Sequence, residues 1–124
     1  MYTVRDDLRP IAAEVITGHG DLSQVNPDAV VYIASDKPKK RANGGTIYAD
    51  CTKVSDKYKA LIGFDFIVTM YKDAEEMSPQ ALKALLWHEL KHIGYKDGAP
   101  YLVPHDLEDF KAIIDAYGTD WATM

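Results

Sequence analysis

The sequence predicts an α+β fold. An N-terminal helix and a second helix pack on a small, mostly antiparallel three-stranded sheet, and a last helix closes the candidate site. Three observations predict this. Apolar residues recur at helical spacing near both ends of the chain and again after Ser78. Short β-branched runs occupy the region between the first two helices. Clusters of Gly, Pro and Asn punctuate the boundaries.

The first helix is expected over Asp7 to Thr17, where Leu8, Ile11, Ala12, Val15 and Ile16 form one stripe. Pro10 falls in its first turn, where a missing N–H costs little, and Gly18 can close it. Val30 to Ala34 reads as the first strand. Lys37 to Arg41 with Asn43-Gly44-Gly45 reads as an exposed turn or hairpin loop, and Thr46 to Thr52 as the second strand. Val54 to Gly63 is ambiguous, with a short helical turn around Lys57-Tyr58-Lys59. Phe64 to Met70 is the third strand, apolar enough for burial on both faces. Ser78 as N-cap and Pro79 at the first helical position start a helix expected to reach Ile93 and end on a left-handed Gly94. Ala99 to Pro104 reads as a loop. A last helix is expected over Leu107 to Tyr117, capped by Asp106, with Leu107, Phe110, Ile113, Ile114 and Tyr117 as its apolar stripe.

The chain of 124 residues fits one domain, 1–124. That length buries a core without disulfides. A net charge of −5 gives no global electrostatic case for nucleic acid or an anionic membrane. The single cysteine, Cys51, excludes an internal disulfide and a cysteine-based zinc knuckle. The N-terminal residues are too polar for a signal-peptide core, and no apolar run approaches the roughly 20 residues of a membrane span. A reducing cytoplasm is the expected compartment. The oligomeric state is not set by the sequence.

The segment His88-Glu89-Leu90-Lys91-His92 carries the chemistry. It matches H-E-x-x-H, in which two histidines four apart share a helix face and can hold one zinc ion. Zinc lowers the pKa of a bound water to about 7. The intervening Glu89, turned partly away from the metal, can take that water's proton. Glu89 lies on the apolar stripe of Leu82, Leu85, Leu86 and Ile93, where a carboxylate is expensive to desolvate. His105 is the candidate third ligand, because the Gly- and Pro-containing segment after Gly94 can fold back. Its place before a helix N-terminus favours the neutral imidazole, although Asp106, Glu108 and Asp109 oppose that. Asp106 and Glu108 are alternatives, with Asp97 behind them. Asp106 could instead orient a ligand imidazole. The longer pattern H-E-x-x-H-x-x-G-x-x-H fails, since Tyr95 stands where it needs Gly and Gly98 where it needs His.

The chain resembles the putative phage metallopeptidases, small zincin-like proteins. The resemblance runs through Phe64 to Val68, then Ala84 to Ile93, then His105 to Phe110 with Tyr117-Gly118 and Trp121, and the stretch Gly45 to Val54. It covers about Val30 to Trp121, and the arrangement is also similar to the SprT-like metalloprotease domain. The resemblance implies a zincin-like fold, metal binding at His88, His92 and His105, a catalytic Glu89, and a bacterial or phage-infected cytoplasm.

Other features carry less. Tyr95 or Tyr101 could donate to an oxyanion, with packing as the simpler role. The strand around Gly45 to Val54 could pair with an extended substrate if it lies at a sheet edge. Lys37, Lys39, Lys40 and Arg41 read as a solvated loop. Cys51 reads as a small buried apolar residue, with a metal-blocking thiol as the alternative. His19 has no assigned role, and Trp87 is expected under the sheet or an adjoining loop. The leading function is a zinc-dependent hydrolase acting on a peptide or protein substrate. The alternatives are a metal hydrolase of other substrates, and a non-catalytic module that binds host protein or nucleic acid.

Overall fold

The computed structural model describes residues 1–103. Within them α1 (Leu8–Gly18) buries Leu8, Ala12 and Val15, the stripe expected from their spacing. Strand β2 (Val30–Ser35) alternates, with Val30 and Tyr32 turned into the core. Strand β6 (Phe66–Met70) pairs parallel with β2, and β5 (Ala49–Lys53) pairs antiparallel with β6. Residues Tyr32, Val68 and Cys51 therefore form one row across the sheet. The α3 helix (Pro79–Leu90) packs on α1 and β5, so the core lies between these helices and the inner sheet face. No helix among the described residues is long and apolar enough to cross a membrane.

The sheet has four strands, not three, in the order β1-β2-β6-β5. The added strand, β1 (Tyr2–Val4), pairs antiparallel with β2 through its main chain while its side chains stay exposed. A three-residue strand of that kind leaves no apolar alternation to detect. Two of the three pairings are antiparallel, as expected. The second strand is split. Thr46–Ile47 (β4) pairs with Lys39–Lys40 (β3) in a small hairpin, and the Tyr48 carbonyl accepts from the Tyr71 N–H before β5 begins. The ambiguous segment contains α2 (Asp56–Ile62), closed by Gly63 at φ 81°.

The largest correction follows α3, which stops at Leu90. Ile93 and Gly94 belong instead to β7 (Ile93–Lys96), which pairs with β8 (Ala99–Leu102) where a loop was expected. Asp97 and Gly98 make the turn at φ 53° and 80°, the double positive φ of a type I′ hairpin. Gly94 serves cross-strand packing rather than a helix cap, because a Cβ there would stand 2.6 Å from Cζ of Tyr101, its strand partner. The expected last helix over Leu107 to Tyr117 lies outside the described residues, as does its capping residue Asp106.

Candidate metal centre

Ser78 starts α3 as the sequence indicates, its hydroxyl accepting from the Ala81 N–H at 3.1 Å. From Leu85 to Leu90 every residue is buried, which seats His88 and Glu89 at the inner end of the helix. His92 lies two residues past Leu90, outside the helix that was expected to carry it. The turn nonetheless continues. Lys91 N–H donates to the Trp87 carbonyl at 3.1 Å, and His92 N–H to the Glu89 carbonyl at 3.1 Å. The second bond is of the tighter three-residue kind that often finishes helices. The four-residue spacing thus still brings the rings together, with centroids 5.3 Å apart and planes at 85°.

One ligand atom from each of His88, Glu89 and His92 lies within 4.8 Å of the others. The two imidazoles are donors zinc accepts, and the Glu89 carboxyl stands beside them. The hairpin supplies the orientation of one ring: His92 Nδ1 lies 2.7 Å from the Val103 carbonyl oxygen, and the Val103 N–H returns a 2.7 Å bond to the His92 carbonyl. A carbonyl can only accept, so Nδ1 donates there, and Nε2 is the ring nitrogen that could serve a metal. The residues present therefore fit a divalent metal ion.

Glu89 is 4% exposed, and burial, with the Asp50 charge adding to it, pushes its carboxyl up to about 8. Asp50 is itself held on β5 by the Tyr71 hydroxyl at 2.7 Å and the Lys39 ammonium at 2.8 Å. Lys40 pairs with Asp73 at 3.2 Å, so two members of the basic loop are engaged by acids of their own chain. Burial, then Glu89 and Asp50, push the half-buried Cys51 thiol far above its ordinary range, so it is a neutral thiol. Neither Cys51 nor Asp97 joins the metal-ligating cluster among the described residues. Asp97 instead forms the hairpin turn. His105, Asp106 and Glu108 lie outside the described residues.

Tyr95 donates to Asp65 at 2.9 Å and packs edge-on against Phe66, a structural role. The Tyr101 ring covers Gly94. Trp87 packs against the loop after α1: it stacks on His19 with centroids 3.9 Å apart and donates to Asp21 at 3.2 Å. Lys91 reaches the same Asp21 oxygen at 2.9 Å. His19 and Asp21 thereby anchor the segment bearing His88, a role that their loop positions did not signal.

A family model described as putative phage metallopeptidase matches residues 1–124. No curated protein and no solved structure matches the chain.

Proposed function

This chain belongs to the putative phage metallopeptidase family, and we propose that it is a zinc-dependent peptidase in which His88, His92 and His105 hold the metal and Glu89 is the general base. The observation that carries this reading is the convergence of His88, Glu89 and His92 ligand atoms within 4.8 Å. When bound, zinc would supply a water of lowered pKa and polarise the scissile carbonyl.

The chain's own residues supply the remainder. Glu89 is buried beside the two imidazoles, placed to take and return a proton there. His92 is held in the ligating tautomer by Val103. His105 stands two residues beyond Val103, and two residues span at most about 7 Å, which supports it as the third ligand. Among the described residues, strand β5 lies at the sheet edge near α3 and β8, and an extended peptide could add a strand there.

Metal analysis of the purified protein tests the ligands. We expect about one zinc per chain, with strong loss in His88→Ala and His105→Ala. Glu89→Gln should retain zinc and lose hydrolysis of a peptide library, because the carboxyl is not a ligand. Undiminished zinc in His88→Ala would refute the site, and undiminished turnover in Glu89→Gln would refute the base.

A further inference from the structure

The α2 helix buries none of its residues. Tyr58, Leu61 and Ile62 share one face by their spacing and are 58%, 75% and 45% exposed. Isolated helices below roughly 12 residues are marginal in water, so a seven-residue helix with a bare apolar face calls for a partner. We propose that residues 104–124 of the same chain dock on this face of α2, through the stripe of Leu107, Phe110, Ile113, Ile114 and Tyr117.

Three observations select this occupant. The described chain ends at Val103, bonded to His92, and a short series of contacts leads from there to α2. Tyr95, in the same hairpin, donates to Asp65, and Asp65 pairs with Lys59 of α2 at 2.6 Å. The following 21 residues are long enough to cover a two-turn helix and carry an apolar stripe of their own. Their charge is also complementary. They hold five acids and one lysine, whereas Lys53, Lys57 and Lys59 outnumber Asp56 and Asp65 in and beside α2.

Amide hydrogen exchange on the full chain in zinc-containing buffer tests the docking without any activity readout. Leu61→Glu should speed exchange across 105–118 by about tenfold or more, and Phe110→Asp should do the same across 56–62, with α3 unchanged. If either substitution leaves the opposite segment's exchange unaltered, the proposal is wrong. It is equally wrong if the protection of 56–62 falls on dilution, which would assign the face to a second copy. Should Leu61→Glu lose α3 protection, Leu61→Ser decides by the same criterion.

Discussion

Asp65 shows how one side chain can join three parts of this protein. It immediately precedes β6, receives the Tyr95 hydroxyl from the hairpin and pairs with Lys59 of α2. Burial raises its carboxyl, but the Lys59 and Tyr95 bonds outweigh that and leave it below the usual carboxylate range. A folded-state value below the unfolded one means that the contribution is present above about pH 4 and is lost as pH falls through the lowered folded value. Asp65→Asn should therefore cost on the order of 1–2 kcal/mol at pH 7, since Lys59 is half exposed, and much less at pH 3. Urea unfolding at both pH values checks this, and a gap that persists in acid would contradict it. The clustering of His88, Glu89 and His92 was legible because its geometry is local: four positions of a helical turn determine where two rings meet. Asp65, His19 and Asp21 were not legible, because their partners lie remote in sequence; Asp21 meets Lys91 across 70 positions.

At the scale of elements, the start of α3 was readable and its end was not. Ser78-Pro79 is a strong local signal. Ile93, by contrast, continues the helical spacing of Leu82, Leu86 and Glu89 and so extends the apparent helix into what is β7. The Asp97-Gly98 pair was the competing sign of a hairpin, and its turn chemistry outweighs the helical period. Strand β1 lies below any periodic signal. Gly94 yields a prediction. Its replacement by Ala usually stabilises by restricting the unfolded chain, but here the Cβ meets the Tyr101 ring at 2.6 and 2.8 Å. We expect Gly94→Ala to cost about 1–2 kcal/mol, and the cost to shrink sharply in a Tyr101→Ala background. A double-mutant cycle by urea unfolding measures the coupling, and strict additivity would reject the ring contact as the cause.

In the whole molecule, the central pairing joins β2 to β6 in parallel, with the hairpin, β5 and α2 lying between them in sequence. Residues 30–35 therefore gain their inner partner only after position 70 has been laid down. The sequence identified both inner strands from their apolar runs but not their relative direction, which depends on the path of the intervening chain. Metal binding should tighten the assembled fold, because the His88 and His92 rings are brought together only when the helical turn is formed. Zinc at about 100 times its Kd should add about 2.7 kcal/mol and raise the Tm, and a chelator should reverse the change. Thermal melts measure this, and a Tm indifferent to both additions would count against a site present in the folded state alone.

The acceptor that sets the His92 ring is a backbone oxygen, at Val103. All twenty amino acids possess that atom, so position 103 is free to drift in side-chain chemistry over generations without deleting the group its neighbour depends on. Selection would fall instead on the hairpin's course.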